Sequence, residues 1–209
     1  MIRPQGFRGA AFGTLAEGDL RRNAENRARV SEILGVSPAW AYLNQVHGDG
    51  IIEVVAAGLQ GDGDAMFTTT RDLPLVVGTA DCVPVILEGA GVVAVIHAGW
   101  RGAVAGVVPA TLEAVAQSGH TIERAAIGPA IGPRCYEVGD EVATQFPDFV
   151  RTTSWGTQSI DLPGSIVAQL EPLPVWQAGV CTYSSDLLAS HRRDGTPERQ
   201  AAVAWLPKD

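Results

Sequence analysis

The chain has little of what marks several large protein classes. Its 209 residues include three cysteines and four histidines, and no run of Lys or Arg is longer than a pair such as Arg192-Arg193. With no basic cluster and a formal net charge of −8, binding along DNA or RNA is disfavoured, because a polyphosphate partner calls for a positive surface. No apolar stretch approaches the ~18 residues of a membrane span; the longest is broken by His97 and Arg101. Residues Met1 to Ala10 lack the apolar segment of a secretory leader. Cys82, Cys135 and Cys181 are odd in number and widely spaced, which reads as free thiols in a reducing cytoplasm rather than a disulfide framework. Repeats, low-complexity tracts and linkers are missing too.

What is present is a globular composition, with 46% hydrophobic and 18% charged residues, too apolar for a disordered chain. A chain of this length buries roughly 70% of its unfolded surface, so one domain spanning residues 1–209 needs no staples. The apolar spacing from Leu20 to Leu34, stopped by Gly35, predicts a helix, preceded by a strand near Phe7–Phe12. Trp40–Leu43 and Ile51–Val55 read as strands on either side of the loop Asn44 to Gly50, and Gly61-Asp62-Gly63-Asp64 turns the chain into Ala65–Thr68. Leu75–Gly78, Val83–Leu87 and Val92–His97 are Val- and Ile-rich runs of the kind buried on both faces. Pro74 and Pro84 mark strand starts or a bulge. Val104 to Val115 predicts a helix kinked or divided at Pro109. Ile122–Ile127, Val175–Gly179 and Ala201–Leu206 complete the strands, with helical patterns near Gly139–Phe146 and Leu162–Leu170 and a polar loop around Arg192 to Gly195. The residues alone thus predict one α/β domain.

The few histidines allow a direct comparison of their settings. His47 lies in a polar loop at a strand end, His97 closes a buried strand just before Gly99-Trp100-Arg101-Gly102, and Cys82 follows Asp81 at a strand junction. All three sit where α/β sheets display functional groups. His120 and His191 fall in polar turns and read as exposed and without function. The 35 residues from His47 to Cys82 and the 15 from Cys82 to His97 match no compact zinc-ribbon spacing. Three ligands from separate elements nonetheless suit catalytic zinc, and two His with one Cys equally describe a blue-copper centre. A metal-free reading uses the same groups, with Cys82 as a nucleophile activated by His97 or His47 and Asp81 or Asp64 orienting the imidazole. Two loops suit an anion or polar ligand. Gly99 to Gly102 presents Arg101 and Trp100 and opens into a helix N-terminus. Gly128 to Arg134, stiffened by Pro129 and Pro133, ends on Arg134.

Taken together, Asn44-Gln45-Val46-His47-Gly48, Gly63-Asp64-Ala65, Thr79-Ala80-Asp81-Cys82-Val83-Pro84, His97-Ala98-Gly99-Trp100-Arg101-Gly102, Ile127 to Pro133 and Cys181-Thr182-Tyr183 give a specific pattern. It resembles the multicopper polyphenol oxidase or laccase-domain family, whose members are also described as purine nucleoside phosphorylases and peptidoglycan editing factors. The resemblance runs in family order across about residues 40 to 206. It implies an α+β fold, two mixed sheets packed as a sandwich with flanking helices. It also implies zinc, or copper in its place, held by His47, Cys82 and His97. Purine nucleosides and phosphate are then the expected small-molecule partners, with Asp81, Cys82 and His97 as catalytic candidates and Asn44, Gln45, Trp100, Arg101 and Arg134 as substrate contacts. One departure is plain. The family's Arg after a Phe-x-Thr element and its Ser-Leu-Asn-Leu stretch are missing, since Phe12-Gly13-Thr14 is followed by Leu15 and the chain turns helical near Leu20.

The expected function is zinc-dependent chemistry on purine nucleosides: phosphorolysis of inosine, adenosine or guanosine, with adenosine deamination as a companion activity. A multicopper oxidase needs roughly ten histidines, because imidazole is the ligand such copper chiefly uses. Four do not suffice, so a copper-dependent polyphenol oxidase is restricted to a mononuclear site. The other readings are a metal-free cysteine hydrolase and a non-catalytic binder of cell-wall precursors.

Overall fold

The computed structural model describes residues 1–208 and sets two mixed sheets face to face. The first has the strand order Ala10–Phe12, Gln200–Ala204, Leu75–Thr79, Ala41–Asn44 and Gly58–Asp62. The second runs Val175–Gln177, Ile122–Ile127, Val83–Gly89, Val92–Ala98, Ala65–Thr68 and Ile51–Glu53. Each combines parallel and antiparallel neighbours. A hairpin of Val150–Thr152 with Gln158–Ile160 forms a separate ribbon. The α+β sandwich with flanking helices is therefore the observed fold.

Side-chain alternation explains the layering. Along Val92–Ala98, Val93 and Val95 join Phe12, Met66, Leu75 and Ile86 between the sheets. Val92, Ala94, Ile96 and Ala98 point the other way, into the layer built with Ala103, Val107, Val115, Leu162 and Ile166. Those last five lie on the helices Trp100–Ala105, Val107–Gln117 and Leu162–Gln169. The period is two, and both faces are apolar because both are covered. On the far side, Val76, Ala201 and Val203 pack with Trp40 and with Val30 of helix Ala24–Leu34. Trp40 Nε1 donates to Ser31 Oγ at 2.7 Å, tying that helix to the sheet through a buried polar pair.

Several boundaries differ from the sequence reading, each for a local reason. The first helix starts at Ala24 rather than Leu20, because the Asn23 side chain accepts from the Glu25 and Asn26 amides and caps it there. Gly35 stops it in the left-handed region at φ 69°, as expected. The helical run after His97 divides at Gly106, φ 87°, and not at Pro109. Pro109 lies in the first turn of Val107–Gln117, where a missing N–H costs nothing. Gly58–Asp62 is a strand although its composition reads as a turn, since it pairs in parallel with Ala41–Asn44. The hairpin and the short helix His191–Asp194 are also additions, the latter capped by the Ser190 side chain accepting from the Arg193 amide.

The N-terminal strand is held at a close approach. Gly9 accepts from the Trp205 amide at 2.9 Å, and a methyl group at its Cα would lie 1.7 Å from the Trp205 carbonyl oxygen. Gly9→Ala should lower stability by about 1–3 kcal/mol through overpacking, measured by urea denaturation; an unchanged midpoint would contradict this account of the seam.

Candidate metal centre

The chain passes from the first sheet to the second three times at one end of the sandwich. Ala41–Asn44 leads to Ile51–Glu53, Gly58–Asp62 to Ala65–Thr68, and Leu75–Thr79 to Val83–Gly89. The crossings deliver His47, Asp64 and Cys82 to one place. His97, next to last in its strand and paired with Pro84, completes the group. The ligand atoms of His47, Cys82 and His97 all lie within 4.8 Å of one another, and the two imidazoles meet edge to face with centroids 4.7 Å apart. Three donors from separate elements are thus brought together.

Asp64 holds them. It is fully buried, and its carboxylate accepts from the amides of Val46 (3.3 Å), His47 (3.0 Å) and Gly48 (2.6 Å) and lies 2.8 Å from His97 Nδ1. His47 takes a left-handed φ of 64°, which turns these successive amides toward one anion. With Nδ1 engaged, Nε2 is the His97 nitrogen left for the site. Gly99 closes the remaining side: an added methyl group would sit 3.0 Å from His47 Cδ2 and 3.2 Å from Cys82 Sγ. At Gly102 it would sit 2.8 Å from the Gly48 carbonyl oxygen.

These contacts set the protonation states. Burial works against the Cys82 thiolate, but the His97 charge and hydrogen bonds from both imidazoles outweigh it and bring the pKa to about 6. Burial also opposes charge on His97, yet the Cys82 thiolate and the Asp64 carboxylate raise its pKa to about 9. Asp64 stays ionised because His97 and the Gly48 and His47 amides overcome its burial. Between the two values Cys82 and His97 form a thiolate–imidazolium pair. Two imidazoles and a thiolate suit zinc or copper, and three donors leave room for a further ligand.

The donors open into a cavity of about 410 Å³. Asn44 and Gln45 line it, and their amides are used within the fold: Asn44 Nδ2 donates to Asp62 and Gln45 brackets both backbone groups of Gly78. Asp81 lines it too, with φ 90°, but its carboxylate accepts from Thr182 Oγ1 and the Arg192 amide. The imidazole partner is Asp64, not Asp81. Trp100 packs on the core with Arg101 stacked 4.3 Å from its ring centroid, and neither lines the cavity. Arg134 borders a different cavity. His191 is exposed as expected, yet it lines the site; His120 is half-buried and bonded to Ser118 beyond a helix end.

Sequence reasoning overlooked Arg21, Arg22, Tyr136, Arg192 and Arg199, which all line the cavity. Arg21 and Arg22 lie in the turn before the first helix and bring two cations to the site. An Arg-Arg pair in a turn before a capped helix was the available signal. Tyr136 has its phenol pushed up to about 12, chiefly by burial and then by the Cys82 and Asp81 charges.

With this geometry the chain belongs to the family described as multi-copper polyphenol oxidoreductase laccase, which it matches over residues 4–207. It is similar to a purine nucleoside phosphorylase of Streptomyces coelicolor, 44% identical over 198 residues that cover 87% of this chain and 81% of the relative. A purine nucleoside phosphorylase of Deinococcus radiodurans is 39% identical, covering 91% and 79%. Two crystal structures share the fold. Hypothetical protein YfiH of Bacillus licheniformis has a TM-score of 0.85 at 26% identity, covering 94% of this chain and 92% of its own. YlmD of Geobacillus stearothermophilus gives 0.84 at 28%, covering 100% and 98%.

In protein stripped of metal with a chelator, the thiolate absorbance that Cys82→Ser removes should titrate with a midpoint near the pKa of about 6. Asp64→Asn, by withdrawing support from the His97 charge, should raise that midpoint by about one pH unit. A midpoint in the ordinary thiol range in the wild type would refute the pairing.

Proposed function

We propose that the chain is a zinc enzyme that cleaves purine nucleosides with phosphate, the ion being held by His47, Cys82 and His97. The observation that carries this reading is the sign of the cavity around those donors. Its lining residues include four arginines, Arg21, Arg22, Arg192 and Arg199, against one carboxylate, Asp81, in a chain whose formal charge is −8. Such a local reversal favours an anionic ligand. Arg21 adds to this: its Nε is buried without a partner. Burial, and then the charges of Arg22 and Arg199, hold its guanidinium below the ordinary value, with Asp19 opposing them. The part of the guanidinium that lines the cavity can give a phosphate oxygen charge-assisted hydrogen bonds. The relatives named purine nucleoside phosphorylase supply the rest of the substrate, since phosphorolysis brings together a nucleoside and phosphate.

The reaction forms a bond from a phosphate oxygen to the sugar C1′ and breaks the bond from C1′ to the base nitrogen. The arginines orient the phosphate and spread its charge. The departing base needs a proton; the phosphate's own proton can supply it, relayed by Asp81, the one carboxylate on the cavity wall among the described residues. Bound zinc would contribute Lewis acidity. The same residues suit adenosine deamination as a companion reaction.

One observation favours a second reading. Asp64, His97 and Cys82 form a continuous carboxylate–imidazole–thiolate series, the arrangement of a metal-free cysteine hydrolase. Chelation separates the two. A zinc phosphorylase loses activity with chelator and regains it with zinc, whereas a thiol hydrolase keeps its activity without metal.

Zinc-loaded protein given inosine and phosphate should release hypoxanthine, followed by chromatography, and Cys82→Ala should abolish that release. Arg21→Gln should raise KM for phosphate about tenfold to a hundredfold, the loss of a charge-assisted hydrogen bond, with little change in kcat. No base release at high enzyme concentration defeats the proposal.

Metal uptake should also expel protons, because the ligands bind as thiolate and neutral imidazole. Between pH 6 and 9 Cys82 is already ionised and His97 still charged, so this pair contributes about one proton, and affinity rises with pH by up to tenfold per unit. Below pH 6 Cys82 contributes a second and the dependence steepens. Calorimetry in buffers of different ionisation enthalpy measures the release; identical heats in all buffers would exclude it.

A further inference from the structure

Away from the metal centre, Cys135 and Cys181 meet at the wall of a second cavity, of about 510 Å³. The loop Gly128 to Arg134 and the segment around Cys181 are tied by a bridge between Ala130 and Cys181. The Gly132 amide donates to Cys181 Sγ at 3.3 Å, and Cys135 Sγ lies 3.4 Å from Ser184 Oγ. Cys135, Cys181 and Ser184 line that cavity together, and both thiols are reduced. They differ in setting. Cys181 is half-buried, whereas Cys135 is 7% exposed.

We propose that Cys135 and Cys181 form a redox-active dithiol that a peroxide converts into an intramolecular disulfide. Cys181 is the attacking thiol, because it is the more accessible of the two and receives the Gly132 amide. Burial pushes its pKa up, but the Gly132 amide and Ser184 outweigh this and leave it lowered, while burial raises Cys135. The Cys181 thiolate attacks one peroxide oxygen; the S–O bond forms, the O–O bond breaks, and the departing hydroxide takes a proton to become water. Cys135 then attacks the sulfenic sulfur, forming S–S and expelling the second oxygen as water. Two thiols are oxidised and one peroxide is reduced to two waters. Each cysteine is next in sequence to a residue tied to the first cavity: Tyr136 lines it, and Thr182 donates to Asp81 on its wall. The bond would therefore fix two segments that border the first site. The placement of the two thiols is independent of the nucleoside reading.

The test uses the intact wild-type protein treated with hydrogen peroxide, alkylated, digested without reduction and mapped by mass spectrometry. The expected product is a peptide pair linked through Cys135 and Cys181, lighter by two hydrogens and restored by dithiothreitol. In Cys135→Ser, whose fold is checked by circular dichroism, Cys181 has no resolving partner and should accumulate a sulfenic acid that dimedone traps. The proposal is overturned if both thiols stay alkylatable while Cys82 oxidises, or if Cys181 passes to sulfinic acid with no linked peptide. If the variant does not fold, the wild-type map decides alone.

Discussion

One buried carboxylate organises the functional end of this molecule. Asp64 is cut off from water, and an ion in that position is tolerable only when its lone pairs are taken up. Here three consecutive amides and one imidazole take them up. The same set of bonds fixes the backbone of one donor residue and the ring of another. Without it His47 has no anchor for an unfavourable left-handed conformation, and His97 loses the contact that selects its tautomer.

The topology accounts for the wide spacing of the donors along the chain. Each passage between sheets is short, and each leaves one functional residue at the same rim. Donors distant in sequence are close because the strands flanking them stack, so the geometry of the centre is set by the register of two sheets rather than by any local motif. The strained residues concentrate there as well. Among the described residues, three other than glycine have positive φ, His47, Asp72 and Asp81, and two of them border the cavity.

The sequence made the core legible because Val83–Leu87 and Val92–Ile96 are apolar throughout, the pattern of doubly covered strands. His47, Cys82 and His97 stood out through their rarity and their places at strand ends. Gly58–Asp62 did not read as a strand, since its pairing comes from Ala41–Asn44 and not from its own composition. The cationic wall stayed hidden for a related reason. Arg21, Arg192 and Arg199 come from segments that meet only in three dimensions, and arginines in turns carry no periodic signal. Arg101 and Arg134, which glycine-rich loops made conspicuous, project elsewhere: one stacks on Trp100 and the other borders the second cavity.

The glycines at 99 and 102 divide the site into two kinds of surface. On their side His47 and Cys82 lie against the bare main chain of Gly99, and the Gly48 carbonyl against that of Gly102, so an added side chain would crowd both contacts. All adjustability is left to the opposite wall, where Arg21, Tyr136 and His191 belong to separate surface segments. What enters the chamber can then be retuned from that wall without disturbing the donor triangle.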